Sequence, residues 1–401
     1  MRRKLAALGL LIALPLLCDA PAVLADSSDG SCSQTNATFV DSAPQVLGVL
    51  GIPDAWAYST GAGVTVAVVD SGVDVGNVHL GDAVLPGIDL TSDGDGRNDV
   101  AGVGTAIAGM IAARQVDSSG MIGIAPEAMI LPVRAYQTTD TNNPHQPLAD
   151  VTAHGIVWAA DHGAKIIVVP TPLADDSQTL HAAVDYALAN GALTVAAVGD
   201  TTTNASNSSD SAPRFPAAYP SVLGVTATGA DGTVGSDVVH NETVQVAAYG
   251  TNVLSTYFGA GDCYFATEKP STTYAAGYVG GIAALVAARF PDESPDLWRY
   301  RILVTASRPV PYQRDNDIGW GMINAQAALT FVNDGTMVGP PNPLGAPPAS
   351  ATPASPQLIP PVSTGLPLRD RMAIGICAAI VILLFVVVLF LTTARSRPIQ
   401  S

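Results

Sequence analysis

The run Val66–Asp74 (VAVVDSGVD) ends a β-branched stretch in Asp70, with Ser71 and Gly72 immediately after it. A parallel strand ending in a carboxylate opens onto the crevice where α/β sheets hold ligands, so Asp70 is a candidate site residue. The same residues also suit a plain turn or cap. A base would have to come from six histidines. His79 lies near Asp70, His154, His162 and His181 fall in helical patterns, and His145 and His240 fall in loops, so each reads as a surface or packing residue. Asp93, Asp95 and Asp99 have a calcium-like composition, yet DGDGRND lacks the full spacing of a calcium loop and reads as a solvated acidic loop. The sequence therefore predicts no metal site and no cofactor.

The elements that must position these residues alternate in kind. Continuous apolar runs occur at Val64–Val69, Ile130–Val133, Ile166–Val169, Leu193–Val198 and Val222–Val225. Helical patterns occupy Gly104–Arg114, Ala149–His162 and Leu180–Asn190, followed by a long small-residue helix through Thr273–Arg289 that must pass close to its neighbours. Apolar runs alternating with helices imply an α/β fold, a mostly parallel sheet covered by helices on both faces. No internal repeat is visible.

The two ends are of another character. Arg2, Arg3 and Lys4, the apolar stretch from Leu5 to Leu17, and Val23 and Ala25 before Asp26 have the layout of a cleavable signal peptide over 1–25. Its apolar run is shorter than the ~20 residues a spanning helix needs. Leu17 is too bulky for a lipidation site at Cys18. Residues 26–45 read as a polar extension, 46–333 as the folded domain, and 334–371 as a stalk whose prolines favour extended conformations. Met372 to Thr393 carries no charge and is long enough for one transmembrane helix, leaving 394–401 as a cytoplasmic tail. The expected location is the cell membrane, with one pass and the N-terminal domain extracytoplasmic.

The net charge of −16, with only 18 Lys+Arg, argues against nucleic acid or anionic lipid as a partner. Of four cysteines, Cys18 leaves with the signal and Cys377 lies in the span. Only Cys32 and Cys263 remain, either as one disulfide, which an oxidising compartment favours, or as two free thiols.

Order and spacing then give a family resemblance. After VAVVDSGVD come GVGTAIAGMIAA (Gly102–Ala113), AAVGD (Ala196–Asp200), STTYAAGYVGGIAALV (Ser271–Val286) and GWGMINAQAAL (Gly319–Leu329). Over roughly Val46 to Val332 the chain resembles the subtilisin-like serine proteases, with every block of that family in order. With its signal, cysteine-bearing extension, stalk and span it resembles the mycosins, membrane-anchored subtilases of actinobacterial type VII secretion systems. The resemblance implies a three-layer subtilisin-like fold and a mechanism needing a serine nucleophile, a histidine base, an orienting aspartate and an oxyanion-hole asparagine. Carried over block by block, Asp70 is the retained aspartate. Val103 stands at the histidine position, Thr273 at the serine, and Asp200 at the asparagine. Ser271 replaces a glycine of the serine block and Gly277 a proline, while Pro170, Thr171 and Pro172 replace the end of a strand that would pair with an extended substrate.

One position of four is kept, so the expectation is a pseudoprotease that contacts partners of a secretion complex. An active serine endopeptidase and a peptide-binding module using the old cleft without cutting are the alternatives.

Overall fold

In the computed structural model of the chain, Cys32 and residues 38–138, 146–201 and 211–345 are described below. They belong to one compact unit, Met1–Ala349. The signal peptide, the span at 372–393, the tail, most of the stalk and His145 lie outside the described residues.

In chain order the elements are α1 (Gln45–Val49), α2 (Ile52–Ala55), β1 (Thr65–Asp70), β2 (Ile88–Asp89), α3 (Val103–Ala112), β3 (Met129–Arg134), α4 (Ala149–Asp161), β4 (Ile166–Val169), α5 (Gln178–Ala189), β5 (Leu193–Ala197), β6 (Leu223–Thr228), β7 (Val246–Tyr249), β8 (Val253–Thr256), β9 (Asp262–Phe265), α6 (Thr272–Arg289), α7 (Pro295–Val304) and α8 (Ala325–Thr330). Seven strands form one sheet in the order β2-β3-β1-β4-β5-β6-β7, and β8 and β9 form a separate pair. Every neighbouring pair in the large sheet is parallel. β8 and β9 run antiparallel.

β1 shows why the sheet strands read as unbroken apolar runs. Val66 and Val68 pack with Ile107, Ile111 and Ile282, on the side of α3 and α6. Ala67 and Val69 pack with Ile156, Leu180 and Val184, on the side of α4 and α5. Alternate side chains thus bury on opposite faces, and neither face leaves room for a polar residue. The strand order reverses at β1: β3 pairs on one side of it and β4 on the other. The carboxyl end of β1, where Asp70 sits, is therefore the topological switch point of the sheet.

α6 passes as near its neighbours as its small residues require. A Cβ at Gly280 would stand 2.5 Å from Val168 Cγ2, and one at Gly277 3.0 Å from Met110 Sδ. A larger side chain at Gly280 would push the helix off β4.

The N-terminal extension is tied to the body. Cys32 and Cys263 form a disulfide, and Thr38 bridges Gly261 beside it. Val40 N–H donates to Asp262 Oδ2 at 2.9 Å, and Val40 O accepts Gly120 N–H at 2.6 Å. Among the described residues no helix is long and apolar enough to cross a membrane.

Candidate functional site

Asp70 closes β1 and is wholly buried. Two neighbouring strands supply its donors. Tyr136, two residues beyond β3, donates its hydroxyl to Oδ1 at 2.9 Å. Thr171, two residues beyond β4, donates to Oδ2 at 2.8 Å. Ser71 Oγ stands 3.0 Å from Oδ1. Burial pushes the Asp70 carboxyl up to about 6; the Ser71 backbone and the Thr171 and Tyr136 hydroxyls pull it down, and the charge of Asp99 adds to the rise.

Val103 opens α3 and is partly buried against the core. The helix is brought hard against the turn after β1: a Cβ on Gly104 would lie 2.0 Å from Gly72 O. Gly72 itself has φ 102, where a Cβ would meet Asn98 O at 2.2 Å. The residue before α3, Gly102, has no side chain to cap it, and Asp99 does so from upstream. Asp99 Oδ1 accepts Ala101 N–H at 2.9 Å and Gly102 N–H at 2.8 Å, and Oδ2 accepts Thr105 N–H at 2.8 Å.

This corrects the reading of residues 93–99 as a solvated acidic loop. Asp99 is buried, because the orphan donors of a helix start need an acceptor more than the carboxylate needs water. Asp95 pairs with Arg97 at 2.6 Å, and Asp93 is exposed. Among the described residues no group of three or more potential metal ligands occurs.

Thr273 lies in the first turn of α6, and its hydroxyl donates to Pro170 O at 3.0 Å. Asp200 stands at the same helix end. Its Oδ1 accepts Thr272 N–H at 2.8 Å and the Thr272 hydroxyl at 2.7 Å, and its Oδ2 accepts the Ser271 hydroxyl at 2.8 Å. Burial raises the Asp200 carboxyl above the usual range, against the pull of the Thr272 and Ser271 donors. An N-terminus of an 18-residue helix, where an anion is favoured, is thus already occupied by a side chain of the protein itself.

The four residues accordingly converge at the carboxyl edge of the sheet through short links. Thr171 ties Asp70 to the segment whose neighbour Pro170 receives Thr273. Ser71 Oγ accepts Gly104 N–H at 3.2 Å, next to Val103. Tyr274 lies close enough to both carboxylates to feel their charge. Burial raises its phenol well above the usual value, and the charges of Asp70 and Asp200 raise it further. Phe265 lies beside it, with ring centroids 5.1 Å apart, and Tyr257 packs in turn against Phe265. Phe258 covers Gly102, where a Cβ would come within 2.7 Å of its ring.

The described histidines are bonded elsewhere or exposed. His79 is buried, with Nδ1 2.7 Å from Arg114 O and Nε2 2.9 Å from Asp262 Oδ1, an ion-pair distance off the line of a hydrogen bond. His162 bonds Trp158 O, His181 faces Asp185, and His240 faces Asp317. His154 is exposed on α4.

Tyr136, Thr272 and Tyr274 were not singled out from the sequence. Only strand register reveals Tyr136. Asp70 pairs with Arg134, which places the residue two further on beside the carboxylate. For Thr272 and Tyr274 the available signal was adjacency to Thr273 at a helix start.

Comparison with known proteins gives one consistent result. The profile of the subtilase family matches residues 61–321. Mycosin-1 of Mycobacterium tuberculosis (strain ATCC 25618 / H37Rv) is 34% identical over 346 residues, covering 74% of this chain and 74% of its own length. Fervidolysin of Fervidobacterium pennivorans is 32% identical over 299 residues, covering 68% of this chain and 42% of its own length. Among solved structures, MycP1 from the ESX-1 type VII secretion system superposes with TM-score 0.65 at 29% identity, over 76% of this chain and 91% of that one. MycP1 with its N-terminal propeptide removed gives 0.64 at 31% identity, over 72% and 98%.

Proposed function

This chain belongs to the subtilase family, and from that premise we propose that it is a mycosin-type subtilase without peptidase activity, anchored in a membrane. Its folded body lies on the outer face, and its role in a type VII secretion system is structural or partner-binding. The relatives named for that system supply the second half of the reading.

The observation that carries the first half is the state of Thr273. Its hydroxyl gives its proton to Pro170 O, a backbone carbonyl that cannot act as a base. None of the described histidines hydrogen-bonds to Asp70, Thr273 or Asp200. Where the family places the base, Val103 has an aliphatic side chain. In subtilisin, removing the serine or the histidine alone costs about 10⁶ in kcat, and the residual ~10³–10⁴ over water comes from binding and the oxyanion hole. That residue of activity is also compromised. Asp200 presents an ionisable acceptor where an asparagine would donate, so charge developing on a substrate oxygen would be repelled.

The test uses the full-length protein in detergent with a fluorophosphonate probe and a peptide library. The expected outcome is neither labelling nor cleavage, and no difference between wild type and Thr273→Ala. Turnover that disappears in Thr273→Ala would overturn the reading in favour of an active endopeptidase. Peptide binding without turnover, lost on mutation of the cleft, would favour a peptide-binding module instead. Co-purification with type VII membrane components is expected from the partner-binding role.

A further inference from the structure

The oxygen contacts around Asp70 outnumber the hydroxyl protons that could fill them. Ser71 Oγ lies 3.0 Å from Asp70 Oδ1 and 2.7 Å from Asp99 Oδ1. A hydroxyl has one proton to give, and carboxylates accept without donating. The shorter contact, to Asp99, takes it. Tyr136 and Thr171 each give their single proton to Asp70. The 3.0 Å approach between Asp70 Oδ1 and Ser71 Oγ is then left with two facing oxygens and no hydrogen between them. A proton on Asp70 completes the series: Asp70 Oδ1–H donates to Ser71 Oγ, and Ser71 Oγ–H donates to Asp99 Oδ1.

Among the described residues no neighbouring cation offers another solution. Arg134, in register with Asp70 on β3, is turned to Asp89, to Ser92 Oγ at 2.7 Å and to Asn98 O at 3.3 Å. The α6 side contributes Tyr274, a phenol that burial holds neutral. Tyr136, on the β3 side, is held neutral by burial first and by Asp70 next. Among the described residues, no Lys, Arg or His forms an ion pair with Asp70 or Asp99.

We propose that Asp70, Ser71 and Asp99 hold one bound proton as a relay that locks the end of β1 to the start of α3, and that releasing it loosens this junction. Asp99 also caps α3 through the N–H groups of Ala101, Gly102 and Thr105, so a disturbance of the relay reaches the helix directly. The elevation of Asp70 to about 6 agrees with that arrangement. The inference is independent of whether the protein cleaves peptides, because it concerns the packing of the retained aspartate and not a reaction.

The sign follows from linkage. The folded value lies above the ordinary 3.8, so between these values the folded chain keeps a proton that the unfolded chain has released. Stability attributable to Asp70 is therefore full below about pH 4 and falls as pH rises through about 6. Asp70→Asn is the neutral isostere and removes the titration. The ratio of the folding constant of wild type to that of Asp70→Asn should drop on the order of 10²-fold between about pH 4 and pH 7. Urea unfolding of the full-length chain in detergent measures it. A ratio independent of pH would overturn the proposal. Should Asp70→Asn fail to fold, hydrogen exchange in the wild type decides the matter. After correction for intrinsic rates, the amides of Ala101, Gly102 and Thr105 should exchange faster at pH 7.5 than at pH 5. Ser71→Ala, which breaks the relay, should abolish that difference. Equal protection at both pH values in the wild type, or a difference that survives in Ser71→Ala, would overturn it.

Discussion

At the scale of single residues, Asp200 shows how a carboxylate far along the chain can cap a helix from outside it. Its carboxylate accepts three donors at the start of α6, so the side chain caps a helix whose first N–H groups otherwise point at nothing. Removing such an acceptor costs roughly 0.5–2 kcal/mol, and Asp200→Ala should lower the urea-unfolding free energy by that amount. Asp200→Asn keeps an acceptor oxygen and relieves a buried charge, so it should lose less than alanine does, and the gap between asparagine and wild type should close as pH rises. That sign follows because the Asp200 carboxyl is raised by burial, so the folded wild type weakens as it is forced to ionise. The sequence made Asp70 visible because it ends a strongly patterned run, and Asp200 and Thr273 visible through the resemblance of their blocks to those of the family. It could not show Tyr136 or Thr171 as the donors to Asp70. Those contacts depend on which strand lies beside which, and on a register that no local pattern encodes.

At the scale of elements, five strands and four helices were readable from apolar runs and helical spacing, since both faces of the sheet are buried and each strand is continuous. β2 is too short to make a pattern, and β8 and β9 pair outside the main sheet. What the N-terminal extension does was legible only through Cys32. Its further attachments are backbone groups meeting Asp262, which leave no trace in sequence. Asp262 ties three pieces together: Val40 from the extension, Ser119 Oγ at 2.6 Å, and His79 at 2.9 Å. Burial alone would raise its carboxyl, yet His79, Ser119 and the Val40 N–H outweigh this and hold it below the ordinary range. Its stabilisation is present above the unfolded value and is lost as pH falls through the folded one. Asp262→Ala leaves the Val40 N–H and the Ser119 hydroxyl without their acceptor, and about 1–3 kcal/mol for each buried donor left unmet should disappear from the urea-unfolding free energy. Separately, Cys263→Ser opens a loop of 231 residues. It should cost about 2–5 kcal/mol by the same measurement and expose the extension to limited proteolysis.

At the scale of the whole molecule, the proposed anchoring has to work against the charge of the chain. The chain carries a formal charge of −16, and Arg2, Arg3, Lys4, Arg369, Arg371, Arg395 and Arg397 stand at its two ends, so the part between them is more acidic still. Such a body is repelled by anionic headgroups and gains nothing from a membrane surface by itself. Attachment in the proposed reading therefore falls to residues 372–393, an uncharged stretch which as a helix would reach roughly 33 Å at 1.5 Å per residue, enough for the hydrocarbon core. Electrostatic adhesion weakens in salt, whereas burial of apolar side chains in lipid does not. The full-length chain should consequently stay with the membrane pellet through high-salt and alkaline washes, and a chain ending at Gly345 should appear in the supernatant under both. Release of the full-length chain by salt alone would mean that a charged partner, and not the apolar stretch, holds it. A truncated chain that still pellets would place the attachment on the folded body, where α7, α8 and the segment from Thr336 to Val338 line a cavity of about 680 Å³.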